Sequence, residues 1–152
     1  MTPYLLLKWL HVLAAIAAVG ANLTYGLWIA HAKRRPENLP FVLSTISWVD
    51  RRLAIPSYAL LLATGLGMAL TVPIPLNTPW LLTALVLYGL AALLGILDYR
   101  PASRTQRRLL ETEGVSSPAY LAAARRSTVL GMVVTLDVVI IVFLMVVKPA
   151  LW

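Results

Sequence analysis

Four long apolar runs dominate the sequence and restrict the folds open to it. They cover residues 4–29, 53–72, 80–97 and 128–147. The hydrocarbon core of a bilayer is about 30 Å thick, a distance that about 20 helical residues span. Because backbone groups inside lipid must be hydrogen-bonded within the protein, such runs form helices. The chain is 60% hydrophobic and 12% charged, about half the charged fraction of a soluble domain. We therefore predict an all-α integral membrane protein: one domain over residues 1–152, built as a four-helix up-down bundle.

The basic residues predict how this bundle is oriented. Eleven of the thirteen lie in two segments between apolar runs: Lys33, Arg34, Arg35, Arg51 and Arg52, and then Arg100, Arg104, Arg107, Arg108, Arg125 and Arg126. Lysine and arginine accumulate in cytoplasmic loops, so both basic loops are predicted in the cytoplasm and both termini outside. The expected location is the bacterial cytoplasmic (inner) membrane, with several passes. Because the +7 net charge is explained by topology, we expect no nucleic-acid partner.

Local signals refine the helix boundaries. A hydroxyl residue followed by proline, as at Thr2, Thr78 and Ser117, is typical of a helix start. We therefore expect the fourth helix to begin at residue 118, in the cytoplasm and before its membrane run. Apolar residues at helical spacing in residues 41–52 predict a short interfacial helix leading into the second span.

Polar residues of the first helix lie on one face. With Ala15 and Ala18 between them, Lys8, His11, Asn22 and Tyr25 follow one another at spacings of three and four residues. This places them in one stripe that we expect to face the interior. At 1.5 Å per residue, His11 lies about 10 Å below the outer boundary. Met68 is expected at a similar or shallower depth, and a histidine and a methionine are a known axial pair for haem iron.

Two interpretations of this stripe stay open. In one, His11 is a metal ligand that binds haem, with Met68 and Lys8 as further cofactor-binding residues. In the other, His11 makes a structural hydrogen bond to a neighbouring helix and the methionine fills a gap. A milder stripe on the second helix includes Thr64, whose hydroxyl is expected to bond to its own helix backbone.

Asp137 lies in the middle of the last apolar run. Acidic residues at this depth are costly and usually face a bundle interior. The surrounding apolar residues supply enough hydrophobicity to insert the helix even if the carboxylate has no role. Otherwise it is either protonated or paired, with Asn22, His11 and Lys8 as candidate partners.

Several functional classes are disfavoured. Cysteine is absent and there are only two histidines, which makes a thiolate or ordinary zinc site improbable. No phosphate-binding loop, nucleophile motif or carboxylate pair appears, so hydrolysis of a soluble substrate is not expected. Small residues at four-residue spacing would let helices approach closely, within one bundle, between copies of the chain or against another membrane protein.

The sequence also carries a resemblance to known families. The segment Tyr4 to Leu13, with Gly20, Thr64-Gly65-Leu66, Thr78-Pro79-Trp80, Arg107-Arg108 and Val146-Val147-Lys148-Pro149, resembles a bacterial family of predicted four-helix integral membrane proteins of unknown function. That resemblance extends over nearly the whole chain and implies the fold and membrane location. More distantly, Lys8-Trp9-Leu10-His11 is similar to the first helix of HemJ-type protoporphyrinogen oxidases and of the copper-resistance D family. The HemJ-type similarity implies that His11 is a ligand of haem b.

The leading functional prediction is a small redox or haem-handling membrane protein that binds haem b or another porphyrin near the outer leaflet. His11 would bind the iron and Lys8 a propionate. One alternative is a proton-coupled carrier or channel component that uses Asp137. Another is a non-catalytic membrane subunit. Whether the protein is an enzyme is left open.

Overall fold

The computed structural model describes residues 2–72 and 74–151, which form helices and turns without a strand. Six α-helices follow one another: α1 (Pro3–Ala32), α2 (Leu39–Val49), α3 (Ile55–Thr71), α4 (Pro79–Leu94), α5 (Arg100–Glu113) and α6 (Pro118–Val147). A 3₁₀ turn, Pro36–Asn38, precedes α2. Two π-helical turns, Asp50–Ala54 and Gly95–Tyr99, join α2 to α3 and α4 to α5. The chain is thus folded into four long helical rods.

Each rod is long and apolar enough to cross a membrane: α1, Pro36–Thr71, Pro79–Glu113 and α6. This confirms the predicted all-α four-helix membrane architecture. Neighbouring rods are antiparallel. The closest packing is between α1 and α3, and α6 packs against both α4 and α5. We call the end with residues 3, 72, 74–79 and 147 the terminal end. The opposite end, with residues 33–52 and 99–126, is the basic end.

The prolines mark the helix starts as predicted. The first α-helical residues of α1, α4 and α6 are Pro3, Pro79 and Pro118. Ser117 caps α6, since its Oγ accepts a hydrogen bond from the Tyr120 backbone N–H at 3.4 Å. Because proline lacks an N–H and its φ is fixed near the helical value, it fits the first turn, where that donor would have no partner.

The second basic connection is helical where we expected a loop. Residues 100–113 form α5, a direct continuation of the third span. In the first connection, residues 39–49 form α2, which overlaps the short helix predicted at 41–52 and runs on into α3. The arginine, leucine, glutamine and glutamate residues of α5 favour helix. The helix ends only at Gly114, which adopts a φ of +82°, a conformation that glycine tolerates. The edge of the apolar run therefore marks the expected membrane boundary and not the helix end.

A compact apolar core lies at the basic end. It joins four helices through the buried side chains Ala32, Leu39, Leu43, Leu110 and Tyr120. Leu39 is only 2% exposed and Tyr120 only 3%. Burying a side chain of this size stabilises a fold by about 1.5–3 kcal/mol in water. This cluster, which we call the cap core, therefore ties the ends of α1, α2, α5 and α6 together.

The membrane-spanning part has a thin interior. Small residues are buried where helices meet, such as Ala18 and Ala84, which lets backbones approach closely without a hydrophobic driving force. The opposite faces carry exposed apolar side chains, including Leu70 at 83% and Val146 at 76%. In a soluble protein such surfaces would promote aggregation, whereas in a bilayer they face acyl chains or another membrane protein.

Candidate functional site

His11 makes a hydrogen bond between the first and second spans. Its Nδ1 lies 2.9 Å from Oγ1 of Thr64 on α3. The Thr64 hydroxyl has one hydrogen, which it donates to the backbone carbonyl of Leu60 at 2.6 Å. The hydroxyl oxygen is therefore the acceptor for His11, and Nδ1 carries the imidazole hydrogen. In the neutral ring, Nε2 then carries the lone pair.

Glycine in α3 makes room for this imidazole. A Cβ added at Gly65 would lie 3.2 Å from Cε1 of His11, and one at Gly67 would lie 3.2 Å from Cδ1 of Leu7. Both distances are tighter than ordinary van der Waals contact. The two glycines thus allow α1 and α3 to approach closely at the level of His11, whose half-buried ring packs against the α3 backbone.

The other predicted cofactor-binding residues lie on either side of this contact. Met68 is half-buried and follows Thr64 by four residues, which places it on the same face of α3, nearer the terminal end. Lys8 is exposed and lies one helical turn from His11, also toward the terminal end. His11, Met68 and Lys8 thus all lie in the half of the α1 and α3 pair that is nearer the terminal end.

A second polar contact joins the same two helices nearer the basic end. Asn22 Nδ2 donates to the hydroxyl of Tyr58 at 2.5 Å, and the hydroxyl of Tyr88 on α4 donates to the backbone carbonyl of Tyr58 at 3.0 Å. The hydroxyl of Tyr25 is buried and makes no hydrogen bond. Sequence reasoning identified Asn22 and Tyr25 but not Tyr58 or Tyr88. The available signal was the polar hydroxyl at these two positions within otherwise apolar runs.

Asp137 does not meet the partners that we expected for it. His11 and Asn22 bond to α3 instead. Asp137 lies ten residues before the end of α6 and Asn22 nineteen after the start of α1, or about 15 Å and 28 Å from the terminal end. We expected similar depths, but Asn22 lies about two and a half helical turns, roughly 13 Å, nearer the basic end. Asp137 Oδ2 is buried without a hydrogen-bond partner.

Few side chains at the site could bind a metal ion. Within residues 2–72 and 74–151, no three His, Cys, Asp or Glu side chains come together around a metal-sized site. His11 could therefore supply one protein ligand to a metal whose other ligands come mainly from elsewhere. A porphyrin is such a chelator, since it supplies four nitrogen ligands to its iron and leaves the axial positions to the protein.

Comparison with known proteins identifies the family of this chain. A family model described as predicted integral membrane protein (DUF2269) matches residues 5–149. The chain belongs to the DUF2269 family. The match includes both His11 and Asp137, and it agrees with the four apolar rods of the structure.

Membership in the DUF2269 family identifies an integral membrane protein and carries no activity with it. No curated protein and no solved structure matches the chain. The finer similarity of the first helix to HemJ-type and copper-resistance D proteins therefore stays a prediction from the residues at Lys8 to His11.

Proposed function

We propose that this protein binds haem b, or a closely related iron porphyrin, through Nε2 of His11, and acts as a small redox or haem-handling membrane protein. The observation that supports this most directly is the hydrogen-bond chain from His11 through Thr64 to Leu60. A histidine that binds a metal commonly donates its other N–H to a fixed acceptor, which holds the ring orientation and the tautomer. Thr64 provides such an acceptor here.

The nearby donor set fits an iron porphyrin. A neutral imidazole and a thioether are both uncharged and tolerate an apolar environment, and both are axial ligands of haem iron. Met68 would be the second residue to hold the iron. Lys8, exposed at the terminal end of the stripe, has a flexible stem and an ammonium group suited to a propionate. When bound, haem b would supply one-electron redox chemistry.

The chain's own residues would then have two tasks. Thr64 would hold the His11 ring, and Gly65 would leave room for that ring against α3. The basic end is proposed to face the cytoplasm, following the distribution of arginine and lysine. The His11 site would then lie in the outer half of a bacterial inner membrane.

The test is a haem titration of the purified protein, with the absorption spectrum recorded after unbound haem has been removed, because free haem has a Soret band of its own. We expect a Soret band for the native protein and its loss in His11→Ala. The matched control is His31→Ala, because His31 is the other histidine of the sequence and is exposed near the basic end. If the native protein shows no Soret band after haem addition, or if His11→Ala keeps it unchanged, the haem proposal is wrong.

Asp137 supports a second candidate function, a proton-coupled carrier or channel component. Its carboxylate has a buried oxygen without a hydrogen-bond partner in the middle of the apolar α6 helix. A carboxyl group held in this way is suited to binding and releasing a proton. In proteoliposomes loaded with a pH-sensitive dye, Asp137→Asn is expected to abolish proton movement. Equal proton movement in the native and variant proteins would remove the support for this function.

A non-catalytic membrane subunit is the third candidate. In three of the four rods, only 11% of the most apolar 18-residue stretch is buried inside the chain. Most of each helix surface is therefore available to lipid, to a second copy or to another membrane protein. The subunit function predicts that a chain carrying both His11→Ala and Asp137→Asn keeps its biological activity and its associations. Loss of activity with associations intact would point back to one of the first two candidates.

A further inference from the structure

A small cavity at the basic end is lined by four arginines. It has a volume of about 130 Å³ and lies where α2 meets α3 and where α4 meets α5. Its lining includes Arg51, Arg100, Arg104, Arg107 and Asp50. We call it the arginine cavity. It lies at the opposite end of the bundle from His11 and is independent of the haem proposal.

The charges in the arginine cavity are not balanced by the protein. Four guanidinium groups face one carboxylate there, and in the described parts of the chain the one ion pair within 4 Å joins Arg126 to Asp98, elsewhere on the basic end. Nε of Arg107 is buried and has no hydrogen-bond partner. A buried charged donor without an acceptor is costly. The cavity therefore offers net positive charge to an incoming anion, and one of its arginines has a donor that the described parts of the protein leave unpaired.

The backbone around the cavity is also unusual. Both π-helical turns of the structure contribute to its wall, Asp50 and Arg51 from the first and Tyr99 from the second. Such turns are rare in proteins and frequently occur at functional sites, because the extra residue turns side chains toward a new direction. Arg100 follows the second turn directly. Two independent helices thus deviate from α-helical geometry at one place, and both present arginine there.

We propose that the arginine cavity binds a phosphoryl group. Arginine presents several N–H donors in a planar fork that matches phosphate oxygens, and such charge-assisted bonds are the strong ones. The hydroxyl of Ser103, also in the wall, adds a neutral donor. The volume equals that of about four water molecules at about 30 Å³ each, which suits a single tetrahedral anion. The phosphoryl group is carried either by an anionic lipid headgroup or by free phosphate.

The experiment uses the full-length protein in nanodiscs and two variants with the same change in charge. Arg51→Gln/Arg107→Gln removes two guanidinium groups of the cavity. Arg52→Gln/Arg108→Gln removes their neighbours in the sequence, which are exposed and do not line the cavity. In one arm, inorganic phosphate is titrated into phosphatidylcholine nanodiscs and the melting temperature is followed. In the other arm, phosphatidic acid is included in the discs and the lipid retained by the protein is counted by native mass spectrometry.

We expect saturable binding whose apparent affinity falls about tenfold or more in the cavity variant, the effect of losing at least one charge-assisted hydrogen bond. The control variant should bind as the native protein does. If only phosphatidic acid binds, the ligand of the cavity is an anionic lipid headgroup. If inorganic phosphate binds as well, the cavity recognises the phosphoryl group itself, whichever molecule carries it.

Equal weakening in the two variants would overturn the proposal, because general attraction between basic helices and an anionic surface does not distinguish them. Absence of saturable binding in both arms would overturn it as well. If the cavity double variant is not monodisperse, Arg104→Gln takes its place. The Arg104 side chain is exposed and lines the same cavity, so its replacement should weaken binding in the same direction without disturbing packing.

Discussion

Replacing Thr64 with valine separates the hydrogen bond at His11 from the packing around it. Valine keeps the branched shape of threonine and loses the hydroxyl. That hydroxyl is buried, accepts from His11 at 2.9 Å and donates to Leu60 at 2.6 Å. In Thr64→Val the His11 Nδ1–H loses its acceptor, and the imidazole is no longer held in one tautomer. The substitution therefore affects both the stability of the α1 and α3 pair and the proposed haem affinity.

The size of the effect follows from measurements on similar contacts. A buried donor left without a partner costs about 1–3 kcal/mol in water-soluble proteins. Hydrogen bonds between membrane helices contribute less, about 0.6 kcal/mol on average and about 1.7 at most, because the membrane-inserted unfolded state finds other partners. The membrane values apply here. We expect a coupling free energy of about 0.6–1.7 kcal/mol between Thr64 and His11, or about a 3- to 20-fold change in the unfolding equilibrium constant.

The assay is a double-mutant cycle with Thr64→Val, His11→Phe and the double variant. Unfolding in mixed micelles with increasing denaturing detergent gives the four free energies, and their combination isolates the pairwise contribution. Thr83→Val is the matched control, because the Thr83 hydroxyl donates only to the carbonyl of Pro79 in its own helix, at 2.8 Å. A coupling energy of zero for Thr64 and His11, or an equal effect of Thr83→Val, would refute the reasoning. The same variants titrated with haem should show weaker binding for Thr64→Val than for Thr83→Val.

Three further predictions concern packing, charge and capping. Gly65→Ala should destabilise the protein by about 1–3 kcal/mol through overpacking, because the new Cβ would lie 3.2 Å from His11. The control Gly89→Ala has open space around the new Cβ and should stabilise the protein by up to about 1 kcal/mol. Thermal unfolding of the two variants checks this. Asp137→Leu should raise the free energy of unfolding by about 1–3 kcal/mol, since Oδ2 has no partner. If detergent unfolding gives the variant a lower free energy of unfolding than the native protein, Asp137 makes a stabilising contact and the prediction is wrong. Ser117→Ala should cost about 0.5–2 kcal/mol by removing the α6 cap, and hydrogen exchange should then speed up in the first turn of α6 but not at its far end.

The number and type of the helices could be predicted from the sequence because two simple signals determine them. Apolar runs of sufficient length require spanning helices, and the prolines at residues 3, 79 and 118 fix where three of them start. The helical form of residues 100–113 could not be predicted from hydropathy. A helix that leaves a bilayer keeps its own backbone hydrogen bonds, and only the surroundings of its side chains change.

The inward face of the first helix could also be predicted, since its polar residues repeat at helical spacing. Periodicity shows which side of a helix is polar, but it does not show which neighbour that side meets. The sequence offered α6 with Asp137 as the partner for His11 and Asn22. In the structure, both side chains contact α3 instead, because the glycines at 65 and 67 let that helix come closest to α1.

The arginine cavity was hidden from sequence reasoning for another reason. Its arginines were visible as part of two basic segments, but those segments lie about 50 residues apart in the sequence, and the basic residues were interpreted as topology signals. Their convergence depends on two π-helical turns, and the residue pattern does not predict this local geometry. The unpartnered Nε of Arg107 is likewise visible only in three dimensions.

The cap core has a consequence for what holds the two ends of the bundle. Leu39, Leu110 and Tyr120 bury their side chains together at the basic end, beyond the apolar runs, where removal of apolar surface from water stabilises the contact. At the level of His11, α1 and α3 are held instead by close packing at Gly65 and by the hydrogen bond to Thr64. The two ends therefore depend on different forces, and denaturants that weaken hydrophobic burial in water act first on the basic end.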